Sequence, residues 1–326
     1  MIVPDHWAEA RRQQRTSGKQ VTVRRYGWST ASQADAQAMA DSRADEALHR
    51  IFAGEPLDRR ERKVAYNGAT GIPIREEVLA RHGEEVITRN AYGAHCLNSP
   101  HALFADIDFS TERGVKPALF AIAVLAVLSG VAGMTLHNWG AMIGLLLISL
   151  FAAAPLARLF TRLVVAARGG AEAIARQRLA RFVSAHPAWN VRLYRTPAGY
   201  RMLATHQPFE ADAEEVRNFF AAVSADPVYV RMCTHQKCFR ARLTAKPWRI
   251  AVSAHMRPRP GVWPVQPEQV AVRNAWIANY EAQAAGFAAC RYLESMGSGV
   301  VHASLKSVIE LHDRESRARV SGAQIA

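Results

Sequence analysis

PALFAIAVLAVLSGVAGMTLHNWGAMIGLLLISLFAAAPLA, residues 117–157, separates two charged stretches of the 326-residue chain, and its reading decides the architecture of the whole. These 41 residues carry no formal charge. A helix crossing about 30 Å of hydrocarbon needs roughly 20 apolar residues, so the run has the length for two. His137, Asn138 and Gly140 interrupt it with turn chemistry, and Trp139 suits a membrane interface. The pattern predicts spans over about 117–136 and 140–157 joined by a tight hairpin, with Gly130, Gly133, Gly140, Gly144 and Ser149 allowing close helix approach.

The flanks give an orientation. Arg113 and Lys116 precede the run and Arg158, Arg162 and Arg168 follow it, while the connecting turn has no charge. Positive charge favours the cytoplasmic face, so both termini are expected on that side of a bacterial inner membrane. The absence of charge within either span excludes an intramembrane proton relay.

Composition bounds the remainder. With 49% hydrophobic and 21% charged residues the chain is that of a folded protein. The 41 Lys and Arg against 28 Asp and Glu give a net charge of +13, which favours acidic partners: nucleotide, nucleic acid or anionic lipid headgroups. The cysteines, Cys96, Cys233, Cys238 and Cys290, lack the spacing of a disulfide framework and read as reduced thiols.

VTVRRYGWS reads as a strand, and the segment after Ser29 and Thr30 as a long helix ended by Gly54 and Pro56. IREEVLARHG reads as a second helix, and EVITRN, AYGAHCLN and HALFADIDF as neighbouring strands of one antiparallel sheet. Beyond the apolar run, Leu163 to Ala185 reads as a basic amphipathic helix loosened by Gly169 and Gly170. WNVRLYRT and YRMLAT form a hairpin around Pro197 to Gly199, followed by a helix, the strand CFRARLT, the proline-rich connector RPRPGVWPVQP and a long helix running to RYLES. The fold class expected is α+β, an antiparallel sheet with flanking helices interrupted by a two-helix transmembrane hairpin. Segments 1–116, 117–158 and 159–326 are its parts, with the outer two forming either one domain or two.

Two features carry chemistry. Asp106 and Asp108 sit at i and i+2 of a strand and share a face, the arrangement of a divalent-metal site for Mg²⁺ or Mn²⁺ with catalytic potential. The alternative is an edge strand whose aspartates pair with arginines. No acidic residue occurs from Pro227 to Pro267, where Arg240, Arg242, Lys246 and Arg249 lie; with Arg195 and Arg201 of the hairpin they form a candidate phosphate-binding face. A patch resting on anionic lipid is the competing reading. Cys233, His235 and Cys238 in CTHQKC lack zinc-knuckle spacing and read as buried thiols beside a surface histidine. His312 and Asp313 diverge by about 100° if helical and read as two surface groups.

On ADIDF, the hairpin RLYRTPAGYRML and the basic strand after it, the chain resembles archaeo-eukaryotic-type primase polymerases. In the hairpin Thr196 and Gly199 are present, with Tyr200 and Arg201 where that family has a histidine. The resemblance implies metal at Asp106 and Asp108 and nucleotidyl-transfer chemistry on a nucleotide or nucleic acid. As a whole the chain also resembles uncharacterised bacterial transmembrane proteins, on the phrases RYGWS, TRNAYG, DIDF and FRARLTAKPWR, which implies contact with the lipid bilayer. The rival function is a non-catalytic membrane-anchored scaffold whose basic face meets lipid or a partner protein.

Overall fold

The structure, a computed structural model, describes residues 3–16, 18–61, 72–109, 115–135, 137–259 and 263–326. Arg113 and Leu136, which enter the hairpin reading, and residues 260–262 of the proline-rich connector lie outside the described residues.

Strands β1 (His6–Thr16) and β2 (Lys19–Ser29) pair antiparallel, and helix α1 (Gln33–Phe52) lies on them. The Ser32 side chain starts that helix by accepting from the Asp35 backbone N–H, and Ala36, Ala40, Ala44, Leu48 and Ile51 recur at helical spacing to bury one stripe against Val21 and Val23.

Strands β3 (Glu77–His82), β4 (Glu85–Arg89) and β5 (His95–Ser99) follow, then β6 (Phe104–Asp108). The helix expected over IREEVLARHG is therefore strand at its core. Gly83, at φ +64°, permits the tight turn that folds β3 back on β4, and ladder pairing then outweighs helical periodicity.

Helices α2 (Val115–Thr135) and α3 (Trp139–Ala167) fold back on each other, with Ser129 Oγ 3.2 Å from Ser149 Oγ. The transmembrane hairpin expected over 117–158 is not upheld: among the described residues no single helix is long and apolar enough to cross a membrane. The apolar part of α2 is Leu119–Thr135. The apolar run of α3 is bent by 47° between Met142–Ala153 and Pro155–Ala167, because a proline inside a helix removes a backbone hydrogen bond and clashes with the preceding turn. The sidedness expected from flanking charge rests on that hairpin.

After Gly169, helix α4 (Gly170–Ala185) leads to β7 (Asn190–Arg195) and β8 (Gly199–Ala204), then α5 (Glu214–Val223), α6 (Pro227–Gln236) and β9 (Phe239–Arg242). Helix α7 (Pro267–Ala284) stops short of the predicted RYLES; β10 (Phe287–Ala288), β11 (Arg291–Gly297), α8 (Lys306–Glu315) and β12 (Gln324–Ile325) complete the chain.

Two four-stranded antiparallel sheets organise the chain, ordered β11-β7-β8-β6 and β3-β4-β5-β9. So β6 does not join β4 and β5 in one sheet as the sequence suggests; it ends the other sheet, beside β8. One apolar core joins the two sheets, running from Ile87 and Leu97 through Phe104, Leu193 and Met202 to Leu179 of α4 and Phe219 of α5.

The edge strands β6 and β9 meet through Tyr229 of α6. Its hydroxyl donates to the Phe104 carbonyl at 3.0 Å and accepts the Arg240 backbone N–H at 3.2 Å. Close pairing of β6 with β8 needs Gly199, since a Cβ there would sit 1.8 Å from the Ile107 carbonyl oxygen. Gly199→Ala is expected to push these strands apart and destabilise the fold by about 1–3 kcal/mol, read as a lower urea midpoint. An unchanged midpoint would contradict this register.

Candidate anion-binding cleft

Where β6 and β9 approach, a cleft of about 310 Å³ opens. Its lining includes Asp106, Asp108 and Asp226 together with Arg242, Lys246 and Arg249.

Asp106 stands opposite Arg201 in the β6–β8 register. The guanidinium makes a two-pronged bond to it, Nε to Oδ1 at 2.8 Å and Nη2 to Oδ2 at 3.1 Å. Arg201 is 1% exposed. Burial works against its charge, but the Asp106 carboxylate outweighs burial and raises the arginine pKa above its ordinary value. Asp108, two residues on, is exposed on the same strand face.

Asp226 reaches the cleft as the cap of α6. Its Oδ1 accepts the backbone N–H groups of Val228 at 2.7 Å and Tyr229 at 3.0 Å, and Pro227 fits the first helical position. Its own N–H donates to the Asp106 carbonyl at 3.3 Å, tying helix to strand.

The basic lining comes from the end of β9 and the turn after it. Tyr280 holds this turn: its hydroxyl donates to the Ala245 carbonyl at 2.7 Å and lies 2.7 Å from Thr244 Oγ1. Lys246, Trp248 and Arg249 are thus presented from a braced backbone. Burial lowers the Lys246 pKa, and the neighbouring charges of Arg242 and Arg249 lower it further; Arg249 is depressed by burial and by Arg242. The carboxylates of Asp108 and Asp106 only partly offset this for Lys246. Cations that depress one another in a recess form a site suited to an anion. At the rim, Tyr92 and Trp248 meet edge-on with ring centroids 5.2 Å apart, and Lys246 Nζ lies 5.5 Å from the Trp248 ring.

No protein-family model, curated protein or solved structure matches this chain. Its function has to be read from the cleft itself.

The residues singled out in the sequence separate into groups. Asp106, Asp108, Arg201, Arg240, Arg242, Lys246 and Arg249 all line the cleft. Arg201 and Arg240 are consumed structurally, Arg240 by Glu76 Oε2 at 2.5 Å. Arg195 does not line it; its guanidinium lies 4.8 Å from the Phe109 ring centre, with Nη1 3.3 Å from the Gly199 carbonyl. Asp226, Glu76 and Tyr92 were not singled out, although the Asp-Pro pair at 226–227 carries a readable helix-start signal.

Among the described residues no three His, Cys, Asp or Glu side chains converge on a point that could hold a metal. Both Asp106 oxygens already accept from Arg201, so the pair expected to hold Mg²⁺ or Mn²⁺ leaves Asp108 as its unburied member.

Elsewhere, Cys233 and Cys238 are buried, and burial pushes both thiols up, Cys238 to about 11. His312 and Asp313, read as surface groups, are buried and touch: Nδ1 of His312 lies 3.2 Å from Asp313 Oδ1.

Proposed function

We propose that the cleft binds a phosphate-bearing ligand of the nucleotide class. Its phosphates would meet Arg242, Lys246 and Arg249, and its base would lie against Trp248 at the rim. The observation that carries this reading is the gathering of Arg242, Lys246 and Arg249 in one recess, where burial and the charge of Arg242 depress both Lys246 and Arg249. The volume suits a ligand of that size. A divalent cation would arrive with the phosphates and meet Asp108, not reside in the empty protein. Binding, not turnover, is the activity proposed, because the Asp106–Arg201 pair occupies the carboxylate that chemistry would otherwise use.

Calorimetric titration with a nucleoside triphosphate, with and without Mg²⁺, tests it. Lys246→Ala or Arg249→Ala is expected to weaken binding by about 10- to 100-fold, since a hydrogen bond to a charged group contributes about 1.5–3 kcal/mol. Tripolyphosphate, which lacks the base, is expected to bind more weakly than the nucleotide. Equal affinity of native and variant chains would remove the cleft from the reading.

A non-catalytic reading, in which the basic face rests on anionic lipid, draws on a separate observation. Phe120, Met134, Phe151 and Phe160 of α2 and α3 are all largely exposed, a surface that apolar material would cover favourably. Co-sedimentation with anionic and neutral vesicles separates the readings: loss of nucleotide binding on Lys246→Ala with unchanged vesicle binding favours the cleft.

A further inference from the structure

Behind the cleft, Arg201 serves two sets of partners. Toward the cleft it grips Asp106; toward the core its Nη1 donates to the Arg242 carbonyl at 2.7 Å and lies 3.4 Å from His312 Nε2. The same His312 nitrogen lies 3.9 Å from Cys290 Sγ, and His312 Nδ1 faces Asp313 Oδ1 at 3.2 Å. Cys290, His312 and Asp313 thus form a thiol–imidazole–carboxylate array, with the first two fully buried.

Donor and acceptor chemistry constrains this array. A guanidinium only donates, so His312 Nε2 accepts from Arg201 only while that nitrogen carries no proton, and the Nδ1 proton then faces Asp313. Cys290 is the other group facing Nε2. Its proton either stays on sulfur and points to Nε2, or moves to Nε2 and leaves a thiolate beside an imidazolium. The transfer breaks the S–H bond, forms an N–H bond and changes no oxidation state. In the second state an N–H would confront the Arg201 donor, and that contact is lost.

The other groups facing His312 fix its surroundings. Tyr194 on β7 has its ring centre 4.8 Å away, Phe104 on β6 has its ring 5.1 Å away, and the Ser316 hydroxyl donates to the His312 carbonyl at 2.5 Å. Beyond Asp313 stand Arg192 and Arg319. Burial pushes the Cys290 thiol up, but the charge and hydrogen bond of His312, the charge of Arg201 and a hydrogen bond from Ser316 together lower it below its ordinary value. For His312, burial acts downward while Cys290 and Asp313 raise it.

We propose that His312, anchored by Asp313 and facing Cys290, is a positioning residue that orients Arg201 and through it Asp106, so that the proton shared by Cys290 and His312 regulates how the cleft holds its anion. The proposal rests on the phosphate-binding reading of the cleft.

The test follows tripolyphosphate affinity of the full chain between about pH 6 and 9, the range in which imidazole and thiol exchange protons. His312→Leu removes the acceptor and is expected to weaken binding about tenfold, or about 1.4 kcal/mol, with a flattened pH profile. His312→Gln restores an acceptor without a titration and is expected to recover most of the affinity while leaving the profile flat. In the native chain, added tripolyphosphate is expected to change thiolate absorbance near neutral pH, because coupling between two sites is reciprocal. This last measurement needs no variant and stands even where His312→Leu fails to fold. Native binding with an unaltered thiolate signal, or with the same pH profile in His312→Gln, overturns the relay alone. Failure of the native chain to bind tripolyphosphate at any pH overturns the cleft reading and the relay with it.

Discussion

Asp106→Ala is expected to destabilise the fold by about 3 kcal/mol, while Asp108→Ala leaves the unfolding midpoint nearly unchanged. The two aspartates are equivalent in the sequence but not in what they face. Asp106 is the counter-ion of an arginine that is 1% exposed, held by two hydrogen bonds of 2.8 and 3.1 Å. Removing one member of a buried pair leaves the other charge uncompensated, at a cost of about 3–5 kcal/mol. The lower end applies because the Asp106 side chain is 40% exposed and Arg201 keeps the Arg242 carbonyl. Asp106→Asn retains an acceptor and should fall between native and alanine. Urea unfolding of the three variants decides the matter. Equal midpoints for Asp106→Ala and Asp108→Ala would show that Arg201 does not depend on Asp106.

This difference limits how a binding experiment is read. If Asp106→Ala loses ligand, the loss combines a weakened strand pair with an altered site; Asp108→Ala, on the exposed end of the same strand, reports on the ligand more directly. Lys246→Ala is cleaner still, since Lys246 sits in a turn whose backbone Tyr280 holds independently.

How much could be read beforehand follows from the range of each interaction. The alternation in HALFADIDF placed Asp106 and Asp108 on one face because strand periodicity is local. The β7–β8 hairpin was legible from its turn residues for the same reason. That β6 would pair with β8, across nearly a hundred residues, depends on which hydrophobic faces find each other; nothing in ADIDF names its neighbour, and the Asp106–Arg201 pair is a consequence of that register. The β3 segment shows local periodicity misleading, since EEVLAR has helical spacing but Gly83 turns it into a hairpin with β4. The apolar run misled through composition: a charge-free stretch of 41 residues passes a length test, whereas the bend of α3 at Pro155 appears only in three dimensions. His312 and Asp313 follow the same logic. Successive helical side chains diverge, yet packing against β7 and β8 bends both onto one buried cluster that spacing alone assigns to the surface.

That cluster gives the other large effect. Asp313→Ala is expected to destabilise the protein by about 3–5 kcal/mol, because four donors converge on one carboxylate. Arg192 Nη2 donates to Oδ2 at 2.5 Å, Arg319 Nε to Oδ2 at 2.9 Å, the Tyr194 hydroxyl to Oδ1 at 2.8 Å, and His312 Nδ1 faces Oδ1 at 3.2 Å. Arg192, Tyr194 and His312 are buried and would be left without their acceptor. The same donors leave a signature in acid. Burial alone would raise the Asp313 pKa, but hydrogen bonds from His312, Arg319 and Tyr194 and the charge of Arg192 hold it at about 2, below the ordinary 3.8. A carboxylate depressed in the folded state contributes stability that is fully present above its unfolded value and is lost as pH falls through the folded one. Between about pH 4 and 2 the unfolded chain takes up this proton and the native chain does not, so native stability drops across that window. Asp313→Asn keeps the shape without the charge; it starts less stable at neutral pH and should lose less on acidification, so the two stability curves converge toward pH 2. Parallel curves in acid urea titrations would mean that Asp313 is not held ionised by its four donors.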